Sequence, residues 1–427
     1  MKIVGLITEY NPFHNGHKYH IEKAVELTDA DAVIVVMSGN YVQRGTPAIM
    51  PKHLRAEVAL KAGASVIIEL PVCYSTGSAE YFAYAAVSLF EKLGCVNAIC
   101  FGTEIGELAP LKKIADILYT EPDSYKTYLQ EYLKKGLSFP AARQKAIADY
   151  TNDHELANIL CMPNNILGIE YLKALRMLNS YMVPYSIERK ESDYHDTELK
   201  KTYSSASAIR RLLEFTSQSV HTVKDSFYDE PPLSDILTRL EDQVPPESIS
   251  LLEDNHRIRY PVYANDFSLL LKYRLLTLTP EDLNEFMDIS KDFANRIYKN
   301  RNNFINFDQF CDLLKSKDMT YTRISRALFH ILLDIKKSDL QLYEENQYNM
   351  YAHIIGFRKE MADVLTIMKQ HSKLPLLTKL SSFTSENPVA LHMLEQDIFA
   401  SNLYESIITD KFKTSFINEY EHPLVLV

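Results

Sequence analysis

The sequence lacks any apolar run near the roughly 18 residues that a membrane span requires, and it is poor in glycine, with 12 among 427 residues. It also lacks paired cysteines, because the five thiols form no CxxC motif and leave one over from any pairing. Reduced thiols in a cytoplasmic protein are the simplest explanation. The apolar start MKIVGLI is short and followed by polar residues, so we expect no signal peptide and no contact with a membrane.

An excess of positive charge is absent as well. The formal net charge is -10, which argues against a basic surface overall, although a local basic face can still bind phosphate groups. Hydrophobic residues make up 46% and charged residues 24%, as in folded globular proteins. A chain of 427 residues exceeds one typical core, so we expect two domains or one enlarged domain.

The first half of the chain alternates strand and helix patterns. Apolar runs typical of strands buried on both faces of a parallel sheet lie at 2–7, 31–37, 64–70 and 96–102. Helical patterns lie at about 16–28, 51–62, 78–93, 109–118, 122–135, 139–150 and 165–179, before a further strand at 181–189. This order predicts a doubly wound, Rossmann-like parallel α/β sheet with right-handed crossovers.

The pattern changes after about residue 215. Acidic connectors with prolines precede sequence that is mostly helical, and the strand periodicity does not return in sustained form. We predict an α/β domain at 1–215 and a mainly α-helical domain at 216–427, with the boundary between about 215 and 230.

The segment NPFHNGHKYH forms the turn between the first strand and the first helix. Its asparagines, proline and glycine suit a turn with a helix cap, but turn chemistry does not explain His14 and His17. A metal site is a second interpretation, yet histidines three apart drift by about 60° per step around a helix. Since no other cluster offers the remaining ligands, no metal ligand is expected here.

Phosphate binding is the third interpretation of this turn. A helix N-terminus presents unpaired N–H groups and a positive dipole end to an anion. Gly16 leaves room for a nucleotide against the backbone, and His14 and His17 add imidazole donors that can stabilise charge on a triphosphate. This interpretation accounts for every residue of the turn.

A second candidate phosphate site is YSSASAIRRLLEF at 203–215, with Ser205, Ser207 and Arg210 at a helix start. Hydroxyl and N–H groups there can hold the β- and γ-phosphates, and an arginine can bind them bidentately. Taken alone, a serine cap with a solvated arginine explains this segment better. The histidine turn at the other end of the domain makes phosphate binding the favoured function.

These motifs resemble the HxGH turn and the ISSTxxR or KMSKS loop of the HIGH-type nucleotidyltransferase superfamily. The segments GLITEYNPFHNGH, MSGNYVQRGTPAIMPKHLRAEVALKAGASVIIELP, CFGTE, PNNILGIEYLKAL and YSSASAIR further resemble the bacterial tRNA(Met) cytidine acetate ligase family. The segments DMTYTRISRALFHILL, HIIGFRK and DIFASNLYE extend this resemblance over essentially the whole chain. The serine loop reads SASAIR where a threonine is common, but it keeps both hydroxyls.

The resemblance implies an ATP-dependent ligase that makes acetyl-adenylate and pyrophosphate from acetate and ATP. Such an enzyme transfers the acetyl group to N4 of the wobble cytidine of elongator tRNA(Met), giving N4-acetylcytidine. The resemblance places catalytic roles on His14, His17, Ser205, Ser207 and Arg210. It places ATP contacts on Ile7, Thr8, Glu9, Tyr10, Asn11, Pro12, Phe13, His14, Asn15, Gly16, His17, Lys18, Tyr19, His20, Gly102, Asn164 and Arg189. Taken alone, Asn164 suits a helix cap and Arg189 a surface charge, and Asn165 and Lys190 are their immediate neighbours.

We expect acetate to attack the α-phosphorus in line, without a covalent enzyme intermediate, and Mg²⁺ to accompany ATP. Lys52 and Arg55 either neutralise negative charge near the substrate or form a solvated helix face, and the sequence leaves both open.

Basic residues of the second half are predicted to bind tRNA phosphates, with Tyr321 available to stack on a base. The predicted residues are Arg296, Lys299, Arg301, Lys315, Lys317, Arg323 and Arg326. Arg323 and Arg326 share a helix face, and Arg358 and Lys359 add further charge. Solvated charge is the alternative. No protein partner is predicted.

Two other functions stay open at this point. A small-molecule or carrier-activating adenylyltransferase of the same superfamily would share the motifs, although the long helical half counts against it. A non-catalytic RNA-binding nucleotide sensor would share the fold, but the intact histidines, serines and Arg210 count against it.

Overall fold

The structure is a computed structural model that describes residues 1–189, 205–214, 233–316 and 319–427. Its strands are β1 (Ile3–Thr8), β2 (Ala32–Ser38), β3 (Tyr41–Val42), β4 (Thr46–Pro47), β5 (Val66–Leu70), β6 (Ala98–Thr103), β7 (Val183–Glu188), β8 (Ala352–Phe357), β9 (Leu376–Leu377) and β10 (Val425–Leu426).

The helices of the first half are α1 (Asn15–Thr28), α2 (Lys52–Lys61), α3 (Val72–Ser75), α4 (Ala79–Leu93), α5 (Leu108–Thr120), α6 (Asp123–Lys134), α7 (Phe139–Thr151), α8 (His154–Asn158), α9 (Pro163–Met177) and α10 (Ala206–Glu214). Those of the second half are α11 (Leu233–Leu240), α12 (Pro246–Asn255), α13 (Ser268–Thr277), α14 (Pro280–Glu285), α15 (Lys291–Asn300), α16 (Phe307–Leu314), α17 (Tyr321–Leu332), α18 (Lys337–Glu345), α19 (Ala362–His371) and α20 (Pro388–Phe412). No helix within the described ranges combines the length and the apolar character needed to cross a bilayer.

One sheet organises the first half, in the order β10-β8-β5-β2-β1-β6-β7, with β9 beside β8. The chain winds from β1 through β2 to β5 in one direction, and then from β6 to β7 in the other, with parallel pairing throughout. The doubly wound α/β fold predicted from the sequence is therefore confirmed. The winding reverses between β1 and β6, and ligands of such sheets bind in the crevice outside the carboxyl ends at this point.

Helices cover both faces of the sheet, because successive residues of each strand point to opposite sides. On β2, Ile34 and Val36 join the core formed with α4, α5 and α9, whereas Val33 and Val35 join the core formed with α1, α2 and α10. Burial on both faces explains why these strands read as continuous apolar runs.

The second half returns to this sheet. β8 pairs antiparallel with β5, and β9 and β10 pair parallel with β8. The second half is mainly helical, as predicted, but the six-residue strand β8 and the short strands β9 and β10 join the sheet. The sequence did not single out HIIGF as a strand, because periodicity cannot distinguish a short apolar run from a buried helix segment. The predicted division into two domains stays a prediction, since the boundary at 215–230 lies outside the described residues, but one core continues from α4 into α17.

Lys52 and Arg55 lie at the start of α2, and both are fully buried, so the solvated helix face is wrong. Lys52 Nζ lies 2.6 Å from Glu69 Oε2 and 2.6 Å from Glu419 Oε1. Arg55 donates hydrogen bonds to the backbone carbonyl oxygens of Glu9 and Gly39. Lys52 therefore balances carboxylates of the protein, and it ties the end of the chain to the sheet.

Candidate active site

A cavity opens at the carboxyl ends of β1, β6 and β7, where the sheet reverses its winding. Its described lining consists of Ile7, Thr8, Glu9, His14, Gly16, His17, Tyr19, His20, Gln43, Arg44, Phe82, Phe101, Gly102, Asn164, Leu167, Tyr171, Ile187, Glu188, Arg189, Ser205, Ala206, Ser207 and Arg210. The five residues predicted to be catalytic thus line one cavity, although almost 190 positions of sequence separate the two motifs.

Each histidine of the turn accepts a hydrogen bond from a backbone N–H of the same turn. His14 is the N-cap of α1, and its Nδ1 accepts a hydrogen bond from the Gly16 N–H at 3.1 Å. The Nδ1 of His17 accepts in return from the His14 N–H at 3.3 Å. The rings stack with their centroids 3.7 Å apart. Because each Nδ1 accepts, each ring is neutral and carries its proton on Nε2, so both rings have an N–H free of the cap to donate.

Burial keeps these imidazoles neutral. Burial, together with the charges of Arg189 and Arg210, lowers the pKa of His14 to about 3. Burial also lowers the pKa of His17, with His14 and Arg189 acting in the same direction. Neutral donors that are held in place before a phosphate arrives suit stabilisation of negative charge developing during a reaction.

The aromatic lead of the motif packs beneath the histidines. Tyr10 is fully buried. Its ring centroid lies 4.7 Å from that of Phe13 and 4.9 Å from that of His17. Gly16 is needed for a reason that the sequence did not show, because a Cβ at this position would lie 2.9 Å from Cε1 of the His14 ring. The glycine therefore makes room for the capping histidine, in addition to lining the cavity.

Helix α10 brings the serine motif to the histidine turn. Arg210 Nη1 donates to the Asn11 carbonyl oxygen at 2.6 Å, and its Nη2 donates to Ser207 Oγ at 3.0 Å. Ser205 Oγ accepts from the Ala208 N–H at 3.1 Å and so caps the helix. The serine cap of the alternative interpretation is thus present, whereas Arg210 is hydrogen-bonded to the turn and is not a solvated helix residue. Both residues line the cavity.

Glu104 organises the wall opposite α1. Its carboxylate accepts hydrogen bonds from the backbone N–H groups of Asn164 and Asn165, and Oε1 also accepts from Asn164 Nδ2 at 2.7 Å. Asn164 lines the cavity, whereas Asn165 is fully buried and its Oδ1 accepts from the Glu104 N–H. A Cβ at Gly102 would lie 3.3 Å from Cγ of Arg189, so this glycine lets the arginine cross the sheet edge. Lys190, the neighbour of Arg189, lies outside the described residues.

Some residues predicted to contact ATP do not line the cavity: Tyr10, Asn11, Pro12, Phe13, Asn15 and Lys18. Several of them shape the turn instead. Asn11 Oδ1 accepts from the Ile49 N–H at 2.8 Å, and Asn15 Nδ2 donates to the Asp242 carbonyl oxygen at 2.9 Å. Their side chains act on the fold of the loop, so the run from 7 to 20 is a mixture of lining and supporting residues.

Sequence reasoning missed other residues of the cavity: Gln43, Arg44, Phe82, Phe101, Leu167, Tyr171, Ile187, Ala206 and Glu188. Gln43 and Arg44 come from the β3–β4 hairpin, which is too short to show a strand pattern. Phe82 and Tyr171 lie on helices, where an apolar residue reads as core. The QRG tripeptide was visible within a segment that resembles the family, but nothing in it indicated which way the hairpin points.

The residues predicted to bind tRNA differ in exposure and in their contacts within the protein. Lys299 and Arg323 are exposed. Arg301 lies over the Tyr298 ring and Lys315 pairs with Asp312 at 2.7 Å. Arg296 is half-buried and donates to the Leu314 carbonyl oxygen, and Lys317 lies outside the described residues.

Arg326 forms an ion pair within the protein. Its Nε donates to Asp288 Oδ2 at 2.8 Å, and its side chain is 12% exposed. Although burial alone would raise the pKa of Asp288, the charge of Arg326 holds this pKa below its ordinary value. Arg323 is the exposed arginine of the two, and tRNA binding by Arg326 stays a prediction.

Among the described residues, Glu69, His353 and Glu419 have the spacing of a metal site, and they lie outside the lining of the cavity. Lys52 Nζ lies between the two carboxylates of this group.

Known proteins resemble this chain over its full length. The model of the HIGH nucleotidyl transferase family matches residues 1–419. The tRNA(Met) cytidine acetate ligases of Thermoanaerobacter sp. (strain X514) and Acetivibrio thermocellus are each 40% identical to it, the first over 100% of both chains and the second over 95% of this chain and 94% of its own. The crystal structure of apo Thermotoga maritima TmcAL covers 100% of both chains at 29% identity, with a TM-score of 0.90, and the structure bound with alpha-thio ATP superposes with a TM-score of 0.87.

Proposed function

Because the chain belongs to the HIGH nucleotidyl transferase family and, within it, to the tRNA(Met) cytidine acetate ligases, we propose that it activates acetate with ATP and acetylates the wobble cytidine of elongator tRNA(Met). The product is N4-acetylcytidine, with AMP and pyrophosphate released. The observation that carries this proposal is the pair of neutral imidazoles, His14 and His17, held by the helix cap at the cavity that Arg210 shares.

In the activation step, a carboxylate oxygen of acetate forms a bond to the α-phosphorus as the bond from this phosphorus to the bridging oxygen of pyrophosphate breaks. The Nε2–H groups of His14 and His17 stabilise the charge on the α-phosphate. Ser207 and Arg210 hold the β- and γ-phosphates, and Ser205 positions them by capping α10. The ATP contacts of Gly102, Asn164 and Arg189 belong to the same proposal.

The acidic side chains in the described lining are Glu9 and Glu188. Mg²⁺ is commonly held by one or two carboxylates together with substrate phosphates, so these residues fit the ion that we propose to accompany ATP. The ion would share the charge of the triphosphate. Glu9 is placed for this by the Gln43 N–H, which donates to its Oε1 at 2.9 Å.

In the transfer step, the exocyclic N4 of the cytidine attacks the acetyl carbonyl carbon, the bond to the adenylate oxygen breaks, and AMP leaves with the electron pair. The amine proton is released. The wobble base must leave its stack to reach the anhydride. Lys299 and Arg323 are exposed cations that can hold the tRNA backbone meanwhile.

Exchange of labelled pyrophosphate into ATP tests the activation step. We expect exchange that requires acetate and that nicotinate mononucleotide, phosphopantetheine or an amino acid does not replace. Exchange with one of those compounds instead would identify a different adenylyltransferase, and none with any acid would favour a nucleotide sensor. Mass analysis of tRNA after incubation with labelled acetate and ATP then identifies the acceptor base.

A further inference from the structure

One side of the cavity is not assigned by either sequence motif. It consists of Gln43, Arg44, Phe82, Leu167 and Tyr171, and we name it the hairpin wall because Gln43 and Arg44 come from the β3–β4 hairpin. The histidine turn and α10 surround the proposed phosphate positions, while Gly102 and Arg189 lie at the ends of β6 and β7. The hairpin wall therefore borders the space that remains for the second substrate of the activation step.

Hydrogen bonds hold this wall in place before any ligand binds. The Gln43 N–H donates to Glu9 Oε1 at 2.9 Å, and Gln43 Nε2 donates to the Gly77 carbonyl oxygen at 3.3 Å. Gly77 directly precedes the Ser78 cap of α4, the helix that carries Phe82. The Tyr171 ring packs 5.4 Å from that of Phe101, centroid to centroid. Contacts within the protein thus hold Gln43 and Tyr171 in this wall.

The helical half fixes the tip of the hairpin. Gly45 has a φ of +67°, and a Cβ there would lie 2.3 Å from the Arg326 Cα, so only glycine fits. The Ser325 hydroxyl donates to the Gly45 carbonyl oxygen at 2.5 Å. Helix α17 therefore sets the position of Arg44, the residue before this glycine.

A carboxylate that must approach a triphosphate needs a cation beside it, because the two reactants repel each other. The described lining offers three arginines, namely Arg44, Arg189 and Arg210. Arg210 and Arg189 belong to the proposed nucleotide contacts, which leaves Arg44 for the acid. Arg44 comes from the hairpin, and Phe82 lines the same cavity. A guanidinium can bind a carboxylate bidentately, and a ring can pack against a short alkyl group.

We propose that Arg44 binds the carboxylate of acetate and that Phe82 limits the length of its alkyl group. This inference rests on the proposed function and adds the acid-binding subsite to it. The specificity for acetate then comes from the hairpin wall, whereas the histidines and α10 act on the nucleotide. Ser325 is a positioning residue, since it holds the hairpin from outside the described lining.

The test uses acetate-dependent pyrophosphate exchange with the full-length protein and without tRNA. We expect Arg44→Met to raise the KM for acetate at least 10-fold and to leave the KM for ATP within 3-fold of the wild-type value. Arg44→Lys should have a KM for acetate between those of Arg44→Met and the wild type. Arg211→Met is the matched control, because Arg211 is exposed on α10 and outside the described lining. It should retain both KM values.

Phe82→Ala tests the alkyl side independently, should the Arg44 variants not fold. We expect it to shift the ratio of kcat/KM for propionate over acetate at least 10-fold towards propionate. A rise in the KM for ATP alone, an unchanged KM for acetate in Arg44→Met, or an unchanged acid preference in Phe82→Ala would overturn the subsite. Wild-type protein without acetate-dependent exchange would instead overturn the proposed function, so the two failures are distinguishable.

Discussion

His14 and His17 combine two tasks that are usually separate, since each ring caps the backbone through Nδ1 and leaves Nε2–H for a ligand. This arrangement links stability to catalysis in single residues. Gly16 follows from the same geometry, because the His14 ring occupies the space of its Cβ. Substitutions that keep the helix cap but remove the Nε2–H donor can separate the two tasks.

Asparagine at position 14 should keep the cap and lose the phosphate donor. We expect both His14→Asn and His14→Ala to slow acetate-dependent exchange by about 100-fold or more, with tRNA affinity unchanged. His14→Ala should in addition lower the free energy of unfolding by about 1 kcal/mol, because alanine cannot cap the helix. Exchange rates, tRNA binding and urea unfolding of the two variants measure this. Near-normal exchange in His14→Asn would remove the assigned role.

Acid should destabilise the protein through the same histidine. The pKa of His14 falls from 6.5 to about 3 on folding, so between these values the unfolded state binds a proton that the native state does not. The free energy of unfolding therefore decreases as the pH drops below 6.5, by roughly 1.4 kcal/mol per pH unit.

His14→Asn should lose about 2 kcal/mol less than the wild type between pH 7 and pH 5 in urea unfolding. His154→Asn, at an exposed position, is the matched control and should keep the wild-type loss. Equal losses in all three proteins would show that other groups govern the acid response.

At the scale of elements, α10 and α17 determine what the cavity can do. Helix α10 joins the serine motif to the turn through Arg210, and α17 supports the hairpin that carries Arg44. Helix α17 also bears Arg323, the exposed cation proposed to contact tRNA. One helix thus links the proposed acid subsite with the proposed tRNA surface.

The two arginines of α17 should behave differently when replaced by alanine. Arg323→Ala should weaken tRNA binding and reduce the slope of log affinity against log salt by about 1, with acetate-dependent exchange unchanged. Arg326→Ala should instead lower the free energy of unfolding by roughly 1–3 kcal/mol, because Asp288 loses its partner. Filter binding at several salt concentrations and urea unfolding distinguish them. A stable Arg326→Ala variant with weakened tRNA binding would instead place Arg326 among the tRNA-binding residues.

At the scale of the whole molecule, the end of the chain completes the sheet that the beginning starts. β8 covers the edge of β5, and Lys52 binds both Glu69 on β5 and Glu419 near the C-terminus. The site at the carboxyl ends of β1, β6 and β7 therefore depends on a sheet that residues beyond 350 help to hold.

Lys52→Met should test this dependence, because it leaves two buried carboxylates without their cation. We expect a loss of about 3–5 kcal/mol in the free energy of unfolding. Lys61→Met removes an exposed pair with Glu57 from the same helix and should change this value by no more than about 0.5 kcal/mol. Urea unfolding of both variants provides the measurement, and similar values for the two would exclude Lys52 as a tie between the ends of the chain.

The sequence by itself determined the local elements and the chemistry they carry. The strands and helices of the first half match the predicted runs closely, since their periodicity follows from burial on two faces. The turn at His14 and the start of α10 were visible because residue type and spacing encode a helix start. Full-length relatives confirm the family that these motifs indicated.

Tertiary structure alone decided which residues meet. The roles of Arg44, Arg326 and Lys52 depend on partners far away in sequence, such as Ser325 for the hairpin, Asp288 and Glu419. A charged or apolar residue has the same local pattern whether it faces solvent, a carboxylate or a cavity. Only the packing of distant segments distinguishes these environments, because burial and pairing are properties of the folded chain as a whole.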